Sequence, residues 1–234
     1  DQVHALKKLG PVLVQYFGMG EVTGNITVLP PHLHSLDDDK MPVGSCGFPR
    51  TGMDVTIMDA TGNHLAPGET GEICVRGPGV FNGYHNNEEA TAKATTFGWF
   101  HTGDLGHMDA RGFVYITGRE SDMYISGGSN VYPREIEEVL LTHPAVAEAC
   151  VVGMPHEKWG EAPHAFVVLR PGATADPSEL IAFVRDRLAH FKAPRHVEFT
   201  TLPKTSTGKI QKAVLRAAQR ASLSADTGGA APGA

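Results

Sequence analysis

The stretch GRESDMYISGGSNVYPREIEE, residues 118–138, separates two patterns in the sequence. Within it, the pair Gly127–Gly128 predicts a tight turn, because glycine adopts backbone conformations that other residues avoid. Pro133 suits the first position of a helix, where its missing N–H group costs no hydrogen bond. The apolar residues that follow recur at helical spacing: Ile136, Val139 and Leu140. We therefore expect a domain boundary near Arg119 and a helix that begins at Pro133.

Downstream of this stretch, strand and helix patterns alternate. Two apolar runs, AVAEACVVG and APHAFVVLR, predict strands. The sequence DPSE at 176–179 predicts a helix start, because its acidic side chains can cap free backbone N–H groups. A last helix is expected from QKAVLRAAQR, before a small, polar tail that contains Gly and Pro. We therefore expect a small domain with a short sheet and about three helices over 119–220, and a disordered tail over 221–234.

Upstream, short apolar segments separated by turn residues predict a β-rich region over 1–118. The segments are VLVQYF, NITVL, DVTIMD, EICVRG and FVYIT. Helices are expected over the first ten residues, which stop at Gly10, and from Asn86 to about Thr95. No N-cap residue precedes Asp1, so we expect the chain to begin inside an element, as one part of a larger protein would. The two halves together predict an α/β (α+β) fold.

Composition limits the kinds of partner. The 234 residues are 41% apolar and 20% charged, with a formal net charge of -6, which is a globular composition. This acidic balance argues against a broad nucleic-acid-binding surface, because such a surface requires basic patches. No apolar run approaches the length of a membrane span or has the pattern of a signal peptide, so we expect a cytoplasmic protein.

The sequence contains no familiar metal-ligand spacing. Cys46, Cys74 and Cys150 are far apart and form no C-x-x-C pair, so we interpret them as packing residues and expect no cysteine zinc site. The twelve histidines include His32 and His34 but no H-E-x-x-H motif, and we expect them to be structural or solvated.

Five segments carry residues suited to nucleotide chemistry, although each also has a purely structural interpretation. QYFGMGE (15–21) could be a strand end, and GEICVRGPGVFNGY (71–84) a strand followed by a glycine turn. HTGD (101–104) is expected to place its aspartate at a turn. The fourth is the stretch 118–138. The fifth, PKTSTGKIQK (203–212), places a lysine in a flexible loop from which it could reach a phosphate.

The order and separation of these segments resemble the later core motifs of the adenylate-forming superfamily, which includes acyl-CoA synthetases, peptide-synthetase adenylation domains and firefly-luciferase-like enzymes. The resemblance runs from about Val12 to Arg216. It implies that 1–118 is the C-terminal portion of the large AMP-binding domain and that 119–220 is the small mobile domain. It further implies an ATP-dependent carboxylate–CoA ligase, an enzyme of the acid–thiol ligase class that uses ATP, Mg²⁺ and CoA.

The resemblance also implies roles for individual residues of the first part. QYFGMGE is similar to the family's Y-G-x-T-E segment, so Phe17 would stack near adenine and Glu21 would hold Mg²⁺. The same segment contributes Gly18 and Gly20 to the ATP/AMP-binding set. In HTGD, Asp104 would accept hydrogen bonds from the ribose hydroxyls.

Further implied roles concern the region from Arg119 onward. Arg119 would contact the ribose and the phosphate side of the nucleotide, and Ser121 occupies the hinge position. The turn Ser126, Gly127 and Gly128 would lie along the pantetheine arm of CoA, where glycines permit a close backbone approach. PKTSTGKI is similar to the family's P-K-T-x-x-G-K motif, which makes Lys209 the adenylation lysine.

Three positions depart from the commonest family pattern. Phe17 replaces Tyr, Gly20 replaces a Thr whose hydroxyl is expected near the α-phosphate, and Ser121 stands where Asp or Lys is more usual. The family's phosphate loop and most of its acyl-pocket segments would precede Asp1. The implied partners are therefore a carboxylic acid substrate and the N-terminal part of the same enzyme, and we expect the chain alone to be inactive.

Two alternatives to the CoA ligase stay open. One is an adenylation domain that loads a carrier protein, although no carrier-protein domain follows Arg216. The other is a non-catalytic nucleotide-binding module that retains the fold. The joint presence of Glu21, Asp104, Arg119 and Lys209 favours an enzyme, because a module without catalysis has no need for all four.

Overall fold

The computed structural model of the protein describes residues 2–34 and 44–227. The chain divides into two compact units, Asp1–Glu120 and Ser121–Ala234. This division falls two residues after the boundary that the sequence predicts, between 118 and 119. Each unit has an apolar core of its own.

The first unit begins with a short helix and a three-stranded antiparallel sheet. Helix α1 (Gln2–Leu9) is followed by Gly10, which has a φ of 72° and donates its N–H to the Leu6 carbonyl at 2.9 Å. A left-handed glycine is a common helix terminator, so the predicted stop at Gly10 is confirmed. The strands of the sheet are β1 (Gln15–Met19), β2 (Gly24–Leu29) and β3 (Phe48–Pro49), in that order.

A second antiparallel sheet in this unit has four strands in chain order. They are β4 (Asp54–Met58), β5 (Gly71–Arg76), β6 (Phe100–Met108) and β7 (Val114–Arg119). Helix α2 (Glu88–Ala94) follows Asn87, whose side chain accepts the Ala90 N–H at 3.0 Å, as an N-cap does. Because successive side chains of a strand point to opposite faces, Ile73 and Val75 of β5 lie in the core.

The second unit has a five-stranded mixed sheet that packs against helices. Its elements are β8 (Tyr124–Ser126), β9 (Ser129–Val131), α3 (Pro133–Leu141), β10 (Val146–His156), β11 (Gly160–Leu169), α4 (Pro177–Arg185), β12 (His196–Phe199) and α5 (Lys212–Thr227). Strand β11 pairs antiparallel with β10 and with β8, and parallel with β12. The core between strands and helices contains Ile136 and Leu140 of α3 and Leu180 and Val184 of α4.

The predicted mixed fold is confirmed, together with two local features. Pro133 is the first residue of α3. At the start of α4, the Asp176 carboxylate accepts the Ser178 N–H at 2.8 Å, and the Glu179 carboxylate accepts the Asp176 N–H at 3.3 Å. These reciprocal bonds form a capping box, which satisfies backbone donors that the helix itself cannot pair.

The last helix is longer than the sequence pattern predicts. Disorder is expected from residue 221, whereas α5 continues to Thr227. The additional residues, ASLSADT, include two Ala and one Leu, which have favourable helix propensities. Residues 228–234 of the predicted tail lie outside the described residues. None of the helices in the described ranges has the length and apolar character needed to cross a membrane.

Leu140 and Leu141 provide a test of the second core. Leu140 is fully buried, whereas the adjacent Leu141 is 44% exposed. We expect Leu140→Ala to lower the free energy of unfolding by about 2–5 kcal/mol, because it leaves a cavity in the core. The matched change Leu141→Ala should cost less than about 1 kcal/mol. Urea denaturation of both variants measures the difference, and equal losses would contradict the described packing of α3.

Candidate active site

Glu21 lies in a short 3-10 turn, Gly20–Val22, directly after β1. The segment that follows β5 holds this turn by two hydrogen bonds. The Phe81 N–H donates to the Glu21 carbonyl at 2.7 Å, and the Tyr84 hydroxyl donates to Glu21 Oε1 at 3.2 Å. Partial burial and the neighbouring Glu21 carboxylate raise the pKa of Tyr84, so its hydroxyl stays protonated. The QYFGMGE and GEICVRGPGVFNGY segments, far apart in sequence, are therefore adjacent.

Strand β1 presents its side chains to two faces. Phe17 is partly buried against the core of the first unit, while Tyr16 on the opposite face is 63% exposed. At Gly18 an added Cβ atom would overlap the Gly24 carbonyl, so this position requires glycine. At Gly20 an added Cβ atom would meet open space. The predicted contact of Phe17 with adenine stays a prediction.

The structure corrects the local environment predicted for Asp104. The sequence places it at a turn, but it lies within strand β6, which continues to Met108. Pairing with β5 is irregular here, because Cys74 pairs with His101 and Glu72 pairs with Leu105. Three residues of β6, from Thr102 to Asp104, therefore oppose a single residue of β5 and form a bulge. Bulges re-aim side chains, which explains why a motif with turn-like composition lies inside a strand.

Asp104 and Arg119 form an ion pair across neighbouring strands. The two residues are register partners in β6 and β7, and Arg119 Nε donates to Asp104 Oδ1 at 2.9 Å. The Asp104 side chain is 7% exposed and the Arg119 side chain 58% exposed. A buried carboxylate needs such a partner, because an unpaired charge is costly in the interior. The structure thus brings together the two residues for which ribose contacts are predicted.

The division between the two units falls at the predicted hinge. Glu120 is the last residue of the first unit and Ser121 the first residue of the second. Both lie in a short 3-10 turn, Glu120–Asp122. The role of Ser121 as a hinge stays a prediction.

The Ser126–Gly127–Gly128 segment forms the turn between β8 and β9. Gly127 and Gly128 have φ values of 57° and 83°, so both adopt the left-handed conformation that the sequence pattern predicts. Gly127 also packs closely against Trp159, because an added Cβ atom would lie 2.8 Å from the Trp159 ring. The Ser126 side chain is buried. The predicted contact of this turn with CoA stays a prediction.

Lys209 lies in a small, internally bonded loop. Its flanks are joined by a bridge between Lys204 and Ile210. Within the loop, the Thr205 N–H donates to the Lys209 carbonyl at 2.8 Å, and the Lys209 N–H donates to Thr205 Oγ1 at 3.1 Å. Gly208 has a φ of 84°, which permits the sharp turn just before the lysine. The backbone at Lys209 is therefore well defined.

The Lys209 side chain differs from those of neighbouring lysines. Lys204 pairs with Glu148 at 2.6 Å, and Lys212 pairs with Glu137 at 2.8 Å. Lys209 is exposed, and in the described part of the chain no carboxylate lies within ion-pair distance of its ammonium group. It is therefore available to bind an external anion.

The sequence pattern did not reveal a cluster formed by Glu72, Cys74 and His101. Their potential ligand atoms all lie within 4.8 Å of one another. Glu72 and Cys74 are two residues apart on β5, so their side chains share a face, and His101 is the register partner of Cys74 on β6. Burial and the Glu72 carboxylate raise the pKa of Cys74 to about 12. A search for C-x-x-C spacing cannot detect such a cross-strand arrangement. The three cysteines are all buried, and none of them forms a disulfide.

Two family models match most of the chain. The model described as AMP-binding enzyme matches residues 1–85, and the model described as AMP-binding enzyme C-terminal domain matches residues 135–209. The chain therefore belongs to the adenylate-forming, AMP-binding superfamily. Its relatives in that superfamily include acyl-CoA ligases, and it corresponds to their C-terminal part.

Individual relatives show how much of such an enzyme is present. A medium/long-chain-fatty-acid–CoA ligase of Mycobacterium tuberculosis is 42% identical over 221 residues, which are 91% of this chain and 38% of that protein. The Bacillus subtilis o-succinylbenzoate CoA synthetase, solved with ATP and a magnesium ion, is 39% identical with a TM-score of 0.75 and is matched over 87% of this chain and 40% of that one. An amide bond synthetase from Marinactinospora thermotolerans is 37% identical with a TM-score of 0.86, over 93% and 44%.

Gly18 and Gly20 provide a matched pair for testing the β1 segment. We expect Gly18→Ala to lower the free energy of unfolding by about 1–3 kcal/mol, because its methyl group would overlap the Gly24 carbonyl. Gly20→Ala has open space and should change stability by less than about 1 kcal/mol. Thermal and urea unfolding of both variants test this expectation. A Gly18→Ala variant as stable as the wild type would show that the two backbones do not approach this closely.

Proposed function

We propose that this chain is the C-terminal catalytic part of an ATP-dependent carboxylate–CoA ligase. In this proposal a substrate carboxylate attacks the α-phosphorus of ATP and expels pyrophosphate, leaving an acyl-adenylate. The thiol of CoA then attacks the acyl carbon, and AMP leaves. The acyl-CoA ligases among the relatives support this reaction class, and the chain spans about 40% of the length of those it matches.

The observation that carries the proposal is the ammonium group of Lys209, which is exposed and has no carboxylate partner within residues 2–34 and 44–227. Attack on the α-phosphorus adds negative charge to its non-bridging oxygens, and a cation placed there lowers the barrier. A lysine already paired with a carboxylate would have to break that pair first. Lys204 and Lys212 are in that situation, whereas Lys209 is not. We therefore assign to Lys209 the neutralisation of charge in the adenylation step.

Asp104 and Arg119 would bind the nucleotide on the first unit. The proposed role of Asp104 is to accept hydrogen bonds from the two ribose hydroxyls, which are directional and charge-assisted. An ionised carboxylate has about four acceptor sites, so it can accept from several donors at once. The exposed part of the Arg119 guanidinium would then face the phosphate side of the same nucleotide.

Glu21 suits the proposed binding of Mg²⁺. This ion prefers oxygen ligands and usually binds through one or two carboxylates together with substrate phosphates. Glu21 is only partly buried, and the hydrogen bond from Tyr84 to Oε1 fixes its orientation. Bound magnesium would supply positive charge to the phosphates. The contribution of this chain is to hold that carboxylate beside the end of β1.

A second half-reaction requires the site to admit CoA. We propose that the second unit rotates about Ser121, which withdraws Lys209 and brings the Ser126–Gly128 turn to the pantetheine arm. Domain rotation of this kind occurs at a few residues in loops or at the ends of elements. The division between the units after Glu120 supports a hinge at this position.

The acceptor of the acyl group has two alternatives to CoA. The similar protein from Marinactinospora thermotolerans is an amide bond synthetase, so an amine is a second candidate in place of the CoA thiol. Loading of a carrier protein is a third. Incubation of the full-length protein with ATP and a carboxylate, followed by CoA, a simple amine or a carrier protein, distinguishes the three by mass spectrometry of the product. Formation of the acyl-CoA alone supports the ligase.

Substitution of Lys209 tests the proposed mechanism in the full-length protein. We expect Lys209→Ala to lower the rate of pyrophosphate release by on the order of 10²–10³-fold, the effect of losing one group that stabilises a developing oxyanion. Thiolation or hydrolysis of a supplied acyl-adenylate should survive. Lys204→Ala serves as the control, because that lysine is already paired with Glu148. Equal loss of both half-reactions in Lys209→Ala would contradict the assigned role.

The isolated 234-residue chain provides a further test. We expect it to show no carboxylate-dependent exchange of pyrophosphate into ATP, because the phosphate loop of the family is not in its sequence. The full-length protein, assayed with short, long and aryl carboxylates, is the positive control. Exchange by the chain alone would show that the N-terminal part is dispensable for adenylation.

A further inference from the structure

Glu72 contacts the Asp104 bulge through both of its carboxylate oxygens. Oε1 accepts the backbone N–H of Gly103 at 2.9 Å, and Oε2 lies 2.6 Å from Nδ1 of His101. Both contacts cross from β5 to β6. We propose that Glu72, with His101, is a positioning residue that fixes the bulge and thereby directs Asp104. This role rests on the proposed binding of a nucleotide by Asp104.

The bulge needs additional contacts to hold it, because it interrupts the regular backbone pairing of β5 with β6. Between the Cys74–His101 and Glu72–Leu105 pairs, the ordinary pairing of β5 with β6 is lost. Gly103 has a φ of 70°, in the left-handed region, and its N–H donates to the Glu72 side chain and not to a backbone carbonyl of β5. The Glu72 carboxylate accepts the Gly103 N–H. Hydrogen bonds to an ionised group are stronger than those between neutral groups.

Contacts of Thr102 and His101 also hold the bulge. The Thr102 hydroxyl donates to the Ile73 carbonyl at 2.7 Å and accepts the Asp104 N–H at 3.1 Å. On its far side, Nε2 of His101 lies 3.2 Å from the Thr96 carbonyl. Glu72 is thus one end of a chain of contacts that fixes each residue from His101 to Asp104. None of these contacts involves the groups to which nucleotide chemistry is assigned.

The distances in the Glu72–Cys74–His101 cluster favour a hydrogen bond between Glu72 and His101 over coordination of a metal ion. Two ligands of a tetrahedral zinc ion lie roughly 3.3 Å apart, given zinc–ligand distances of about 2.0 Å. The distance between His101 Nδ1 and Glu72 Oε2 is 2.6 Å, which is a hydrogen-bond distance. Glu72 Oε1 is also already bonded to Gly103. The cluster is therefore satisfied as a hydrogen-bonded support.

Amide hydrogen exchange of the chain tests the positioning role directly. We expect Glu72→Ala to accelerate exchange at Gly103 by at least about tenfold, because its charged acceptor is lost. Glu72→Gln keeps a carbonyl oxygen and should give a smaller acceleration. The amide of Val75, in the same strand, should be unchanged in both. Unchanged exchange at Gly103 in Glu72→Ala would overturn the proposal.

A matched control comes from Glu69, three residues earlier. Its Oε2 also accepts a backbone N–H, from Ala66 at 2.7 Å, but its contacts do not reach the bulge. We expect Glu69→Ala to leave Gly103 exchange unaltered. Equal acceleration by both variants, or a parallel change at Val75, would show a general loss of stability and overturn a specific role for Glu72.

The functional half of the proposal is tested in the full-length protein. We expect Glu72→Ala to raise the KM for ATP by about tenfold or more, with partial recovery in Glu72→Gln, while the KM for the carboxylate stays unchanged. Faster exchange at Gly103 with an unchanged KM for ATP would overturn the role in nucleotide binding.

If the wild type showed no ATP-dependent activity, the proposed function would fail, while the exchange result would still decide whether Glu72 supports the bulge. Stoichiometric retention of Zn²⁺ that is lost in Cys74→Ser would overturn the hydrogen-bonded cluster.

Discussion

The first unit depends on the burial of one carboxylate, that of Asp104. A buried charge is tolerated only when it is paired, and Arg119 on the next strand supplies the partner at 2.9 Å. The pair forms only if β6 and β7 keep their register, and Asp104 points correctly only if β6 bulges against β5. The irregular point of the four-stranded sheet is therefore also the point at which nucleotide binding is proposed, and bulges are common next to active sites.

In the second unit, the charged group of Lys209 is exposed, whereas that of Asp104 is buried. Here the useful charge is exposed and has no carboxylate partner in the described residues, while the backbone that carries it is held by Thr205 and by the bridge from Lys204 to Ile210. A fixed backbone with an exposed ammonium group fits the role proposed for Lys209, which is to meet the phosphate in one step and leave it in the next. The two units thus contribute different chemistry to the proposed reaction, which is positioning from Asp104 and charge neutralisation from Lys209.

The chain is similar both to acyl-CoA ligases and to an amide bond synthetase. The names of these relatives differ in the group that receives the acyl chain, a CoA thiol or an amine. In the proposed function, Asp104 and Lys209 serve the adenylation step, which comes before that difference. The chain spans about 40% of the length of the relatives that it matches.

The sequence alone determined the mixed fold, the helix starts at Pro133 and Asp176, the glycine turn at 127–128 and the superfamily. These features depend on local chemistry, such as the fixed φ of proline, side-chain caps and left-handed glycine, which neighbouring residues show directly. Only the tertiary structure decided that HTGD forms a bulge and not a turn, and that Glu72 contacts both His101 and Gly103. It also decided that, among the residues described, Lys204 and Lys212 have carboxylate partners and Lys209 has none. Those facts depend on strand register and on contacts between distant residues, and periodicity within one segment carries no information about either.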